Sequence, residues 1–167
     1  CIKLVHISTD HIFSGEQELA TEVTSTNPLN NYAGGKLIQE SIKIARKIKI
    51  PKNKIVVDPA IGFFRESGTG LPFTRIRSNW VNRDVSVIQN LRFIKGNFPL
   101  LISVSNKSFI GNLLHKNDVN DRLFGSLAAE LISVMYGADI IRTHNVEATK
   151  DILKISKKLA QNIKKGL

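Results

Sequence analysis

Cysteine, methionine and tryptophan are nearly absent from this sequence of 167 residues, with one of each, and there are only two tyrosines. The single cysteine, Cys1, excludes an internal disulfide and a cysteine-based zinc centre, and it fits a reducing, cytoplasmic setting. No apolar run approaches the ~20 residues of a membrane span, and nothing resembles a signal peptide. Acidic residues are in deficit, 14 against 24 Lys and Arg, which leaves a formal net charge of +10. Such a balance suits nucleic acid, an anionic surface or phosphorylated small molecules. No zinc-finger or RNP-like signature accompanies it, so a nucleic-acid partner is not expected. Internal repeats and low-complexity tracts are missing as well, and no Ser-His-Asp or Cys-His pattern for covalent catalysis is visible.

What remains is the composition of a globular protein, 42% apolar and 23% charged, with length for one domain and a real core. The chain enters at once into an apolar run, "CIKLVHIS", as though it begins inside a domain. Residues 1–50 carry 6 basic and 5 acidic groups, whereas residues 51–167 carry 18 and 9. The positive excess therefore lies in the larger, later part. Six lysines fall between Lys150 and Lys165, interleaved with Ile152, Ile155, Leu159 and Ile163 at helical spacing. That pattern predicts an amphipathic helix with a solvated basic face.

Four short apolar strands alternate with four helical patterns. The strands are predicted at Ile2–Ile7, Lys54–Val57, Leu100–Val104 and Asp139–Arg142, and the helices at Gly35–Lys47, Asp84–Lys95, Arg122–Tyr136 and Glu147–Lys164. Asp84 reads as an N-cap, Gly137 as a C-cap, and Pro99 opens the third strand. Repeated βα units imply an α/β fold with a parallel sheet, because each crossover needs a helix to return the chain. Four such units make half of an eight-stranded barrel or a small open sheet, and function in either sits at the carboxyl ends of the strands. A long irregular loop, Arg65–Asn79, follows the second strand.

Polar residues appear at those ends. The second strand runs into "VVDPAIGFF", where Asp58 is either a turn-former or an acceptor for a ligand's N–H groups. The third ends in "SVSNKSFIG", which places Ser105, Lys107 and Ser108 where the next helix begins; a solvent-facing Lys107 is the plainer alternative. The fourth ends in "DIIRTHNV", and Arg142 and His144 alternate with Ile141 and Thr143, so a strand puts both on one side. An Arg and a His on one face form an anion clamp suited to phosphate or pyrophosphate. Together these residues describe a site for a polar heterocycle or carbonyl compound that bears a phosphate or pyrophosphate.

"KIVVDPAIGFF", "LLISVSNKSFIGNLL" and "DRLFGSLAAELISVMYGADIIRTHNV", in that order, resemble the carboxyl half of dihydropteroate synthase, in its archaeal form, from about Leu37 to the end of the chain. The resemblance implies a partial TIM barrel of about four βα units. It also implies a transferase of folate or related pterin biosynthesis, which joins a dihydropterin methyl pyrophosphate to 4-aminobenzoate and releases pyrophosphate. In that reading Asp58 accepts from the pterin ring, Lys107 donates to its carbonyl side, and Arg142 and His144 hold the pyrophosphate with Mg2+. Ser105, Ser108 and Phe63 line the arylamine side. Asn106 stands where most bacterial members have Arg, and Asn145 where Asp is usual. The amino half that supplies the family's first strands is not represented, and a homodimer is one assembly this reading allows.

The first 36 residues resemble a different family. "LVHISTDHIFSGEQELATEVTSTNPLNNYAGGK" is similar to dTDP-4-dehydrorhamnose reductase, an extended short-chain dehydrogenase. That implies a Rossmann-like first βα unit, with Thr9, Tyr32 and Lys36 as hydroxyl donor, proton donor and pKa-lowering partner in an NADPH-dependent reductase. Tyr32 and Lys36 share a helical face. The glycine-rich dinucleotide loop expected before such a segment is not present. The expected division is therefore a reductase-like segment, 1–36, and a synthase-like half-barrel, 37–167, as a fusion, a chimera or a non-catalytic fragment. The strand Ile2–Ile7 is expected to pair in parallel beside Lys54–Val57, where it covers an otherwise exposed sheet edge.

Overall fold

A computed structural model describes residues 5–7, 38, 41–66, 76 and 78–163. In chain order the elements are β1 (Val5–Ile7), α1 (41–47), β2 (Ile55–Val57), α2 (Trp80–Gln89), α3 (Leu91–Lys95), β3 (Leu101–Ile102), α4 (Ser108–Leu114), α5 (Leu123–Met135), β4 (Ile140–Ile141) and α6 (Val146–Ile163). No helix among the described residues is long and apolar enough to cross a membrane.

β2, β3 and β4 are short because each is a β-branched or leucine-rich run bounded closely by turn-forming or polar residues. β1 pairs in parallel with β2, Val5 opposite Ile55 and Ile7 opposite Val57, which is the pairing expected for the first strand. β3 pairs in parallel with β4, Leu101 opposite Ile140. A parallel bridge between Val57 and Leu100 joins the two pairs, so the order β1-β2-β3-β4 follows the chain. Sequential parallel strands with helical crossovers are the pattern of a (β/α)8 barrel, and this chain forms part of one.

β3 and its flanks lie at the centre of the core. Leu100, Ile102 and Val104 are completely buried, and they pack with Val57, Ile61, Ile88, Leu91, Ile94 and Phe109. Each such side chain contributes about 2 kcal/mol by leaving water. Gly125 lets α4 and α5 approach closely, since a Cβ there would lie 2.5 Å from Ile110 Cγ2. At Gly111 a Cβ would lie 2.6 Å from the Lys116 carbonyl oxygen, so glycine lets the chain after α4 fold back over that helix.

Three expectations are corrected. Asp84 is not an N-cap: α2 starts four residues earlier, where the Asn79 side chain accepts from the Asn82 N–H at 3.0 Å. Asp84 instead faces inward on the stripe Val81, Asp84, Val87, Ile88 and has no exposed surface. The single helix expected over Asp84–Lys95 is two helices, because Asn90 leaves helical geometry (φ −114°, ψ 17°) while its side-chain amide donates to the Ser86 carbonyl at 2.8 Å. The apolar face of α6 is only partly covered. Ile152 is half-buried, yet Ile155 and Leu159 are about 60% exposed, because α5 reaches only part of that helix. Gly137 does end α5 as expected, with φ +110° just after the C-cap.

Candidate functional site

The carboxyl end of β2 is a tight corner. Asp58 is buried and its Oδ1 accepts from the Ala60 N–H at 2.9 Å, so it shapes the turn. Ala60 takes a left-handed conformation (φ +55°), and Gly62 follows at φ +84°. At Gly62 the conformation and the space both demand glycine, since a Cβ would sit 2.9 Å from Lys107 Cδ. Arg83 of α2 buttresses the corner from outside. Its guanidinium donates to the Pro59 carbonyl at 3.3 Å, pairs with Asp84 Oδ1 at 2.9 Å, and lies 3.9 Å from the centre of the Phe64 ring. Burial pushes the Asp84 carboxyl up from its ordinary value, against the pull of Arg83 and the Gly62 N–H.

The end of β3 supplies the ammonium. Lys107 precedes the first turn of α4, its aliphatic stem runs along Gly62, and its Nζ lies 4.9 Å from the centre of the Phe63 ring. Burial lowers its pKa; Asp58 pulls the other way, and the nearby Arg142 adds to the lowering. Lys107 is half-buried in this corner. Lys107, at the end of the middle of three successive strands, feels the charges of both Asp58 and Arg142.

The other predicted residues fall around them. Phe63 is half exposed. Ser105 is buried and accepts from the His144 N–H at 3.3 Å, which ties the ends of β3 and β4 together. Ser108 accepts from an Arg65 Nη2. Asn106 takes the left-handed conformation (φ +60°) that Asn tolerates better than most residues. Its N–H donates to Ser126 Oγ at 2.9 Å, and its carbonyl accepts from Arg122 at 3.1 Å. Arg142 and His144 are both exposed, with their backbone held by the Arg142 N–H on the Ile102 carbonyl at 2.9 Å. Thr9, Tyr32 and Lys36 lie outside the described residues, as does most of the Arg65–Asn79 loop.

Arg65, Arg83 and Glu130 carry no expectation from the sequence, and Asp84 carries only that of a cap. Arg65 brings a further guanidinium to the site, stacked 4.1 Å from the centre of the Trp80 ring. The signal for Asp84 and Glu130 was present, since each interrupts an apolar stripe at helical spacing. A carboxylate on a buried face needs an explanation that a surface carboxylate does not.

Comparison with known proteins places the chain in a family and a fold. Residues 34–144 match the model of the pterin binding enzyme family. Dihydropteroate synthase type-3 of Escherichia coli is 34% identical over 145 residues, which is 84% of this chain and 49% of that protein. Dihydropteroate synthase of Neisseria meningitidis serogroup B is 37% identical over 116 residues, 68% of this chain and 36% of that protein. The solved dihydropteroate synthase of Coxiella burnetii, in complex with pteroic acid, superposes with a TM-score of 0.66 at 32% identity, over 82% of this chain and 46% of its own. That of Xanthomonas albilineans, in complex with 7,8-dihydropteroate, gives 0.67 at 25% identity, over 78% and 46%. The chain thus spans half or less of the length of these relatives.

Proposed function

We propose, from the premise that the chain belongs to the pterin binding enzyme family, that it carries the pterin-facing part of a dihydropteroate synthase site. The reaction is condensation of a dihydropterin methyl pyrophosphate with 4-aminobenzoate, with release of pyrophosphate. The observation that carries this reading is the meeting of Asp58, Lys107 and Arg142 at successive strand ends, with the Lys107 ammonium over Phe63.

Asp58 accepts N–H groups of the pterin, and Lys107 donates to its carbonyl side. Arg142 and His144 hold the pyrophosphate as the C–O bond loosens, and the cation left on the pterin methylene is attacked by the arylamine nitrogen. No side-chain nucleophile is required, so catalysis rests on positioning and charge stabilisation. A depressed lysine pKa supports this role, because an ammonium in a partly dry site interacts strongly with an incoming acceptor. Phe63 and Ser108 border the arylamine, while Ser105 and Asn106 support the floor of the site. Arg65 holds the Ser108 hydroxyl in place.

Among the described residues no group of three or more His, Cys, Asp or Glu could hold a metal ion. Mg2+ belongs to this proposal only as a counterion on the substrate pyrophosphate. We place the boundary between the half-barrel and the preceding segment at residues 36 and 37, and the segment 1–36 keeps its separate reading as a reductase-type βα unit. A homodimer is the assembly that would cover Ile155 and Leu159, and sedimentation at graded concentration tests it.

Calorimetric titration with the pterin pyrophosphate, then with NADPH, tests the main reading. Heat with the first ligand that is weakened by Lys107→Ala and Arg142→Ala is expected. No heat with the first and clear heat with the second would overturn it in favour of the reductase.

A further inference from the structure

Glu130 lies in the middle of α5 with no exposed surface, and among the described residues no cation pairs with it. Its Oε1 has no hydrogen-bond partner, and its Oε2 accepts from Thr149 Oγ1 at 2.7 Å. An incompletely satisfied buried carboxylate costs stability. An apolar residue of similar length would fit the stripe of α5 without that cost. The group calls for a role outside packing.

We propose that Glu130 is a positioning residue for the Arg142–Asn145 segment, acting through a directed chain of hydroxyl hydrogen bonds. A carboxylate accepts and does not donate, so the Thr149 hydroxyl gives its only proton to Glu130. The Thr143 and Thr149 hydroxyl oxygens lie 3.0 Å apart. With the Thr149 proton committed to an ionised Glu130, Thr149 Oγ1 can only accept, and the Thr143 hydroxyl is the donor in this chain. Thr143 Oγ1 in turn accepts from the Asn145 N–H at 3.0 Å. One buried acceptor in α5 thereby sets the direction of every bond as far as the backbone beside His144. From the other side the His144 N–H reaches Ser105, and the Arg142 N–H reaches Ile102. The segment is pinned on both flanks while the Arg142 and His144 side chains stay exposed. This inference rests on the reading of those two residues as the pyrophosphate clamp. Preset backbone spares the clamp the ordering cost of gripping a flexible polyanion.

The test uses the full chain, with inorganic pyrophosphate as the ligand and amide hydrogen exchange as a second readout. Thr149→Val and Glu130→Met remove the donor and the final acceptor. Each is expected to speed exchange at the Asn145 amide and to weaken pyrophosphate binding, both roughly five- to tenfold. Thr149→Ser and Glu130→Gln keep the donor and the acceptor and should restore both. Unchanged exchange at Asn145 in the two breaking variants would overturn the proposal, whatever happens to stability. Should Glu130→Met fail to fold, Thr149→Val decides alone. If the wild-type chain binds no pyrophosphate yet exchange responds as expected, the clamp reading falls and the positioning role of Glu130 stands.

Discussion

The corner after β2 and the corner after β4 both face the proposed site, but they are built on opposite principles. At β2 the side chains themselves are fixed. Asp58, Ile61 and Phe64 are buried, Arg83 is stacked on Phe64, and Arg65 on Trp80. At β4 the backbone is fixed and the functional side chains are left in water, with Arg142 and His144 exposed above a ladder of hydroxyl and amide bonds. The contrast matches the two parts of the proposed substrate. A flat heterocycle is recognised by a few acceptors and donors at set positions in a partly dry wall. A pyrophosphate is flexible and heavily hydrated, and long cationic side chains can follow it once their anchor points are set.

The sharpest way to break the β2 corner is Gly62→Ala. The substitution meets the left-handed backbone penalty and a contact 2.9 Å from Lys107 Cδ. A loss of about 2 kcal/mol in urea unfolding is expected, together with weakened binding of a pterin ligand as Lys107 is displaced. Retention of full pterin affinity would mean that Lys107 does not need its present path.

Next in size, Arg142→Ala should lower affinity for inorganic pyrophosphate about tenfold and leave pterin affinity almost unchanged. Because Arg142 is exposed, wild-type pyrophosphate binding should also fall steeply as salt is raised from low to physiological strength. A salt-insensitive titration would remove the distinction between the two corners.

A third measurement follows the buried ammonium. Burial lowers the Lys107 pKa from the ordinary 10.5, against the pull of Asp58. In the window between that lowered value and 10.5 the unfolded chain binds more protons than the folded one, so stability rises with pH there. Below the window both states are protonated and the penalty is present in full. Lys107→Met should flatten this alkaline rise. An identical slope in the variant would show that Lys107 is solvated.

The smallest expected effect lies far from either corner. Lys49 has φ +62° just beyond α1 and is exposed. Lys49→Gly should raise stability by roughly 0.5–1 kcal/mol, the left-handed penalty less the extra chain entropy of glycine. Thermal unfolding measures it, with ligand binding as the control that should not move.

Much of this was legible in the sequence, for identifiable reasons. Strand positions follow from β-branched runs bounded by Pro, Gly and Asp, and the parallel arrangement follows from their alternation with helices. Gly137 and the pairing of the first strand with Ile55–Val57 were also recovered. Errors arose where one residue type has two uses. Asp84 looks like a cap because Asp usually caps, yet Asn79 is five residues upstream with the same chemistry and no buried alternative. Asn90 breaks a helix that its neighbours favour, because its amide competes for the Ser86 carbonyl. Ile155 and Leu159 have the spacing of a buried face, but spacing does not say whether a partner element arrives.

By itself the sequence determined which residues stand at the strand ends and what chemistry they bring, since period and turn residues are local properties. It could place Asp58, Lys107 and Arg142 each at the end of its own strand. Only the tertiary structure decided that Lys107 feels both of the others, that Gly62 makes room for the lysine, and that Glu130 reaches the loop beside His144. Those relations join groups dozens of residues apart, and they depend on strand order and on the close approach of α4, α5 and α6. Local propensity carries no record of such distances.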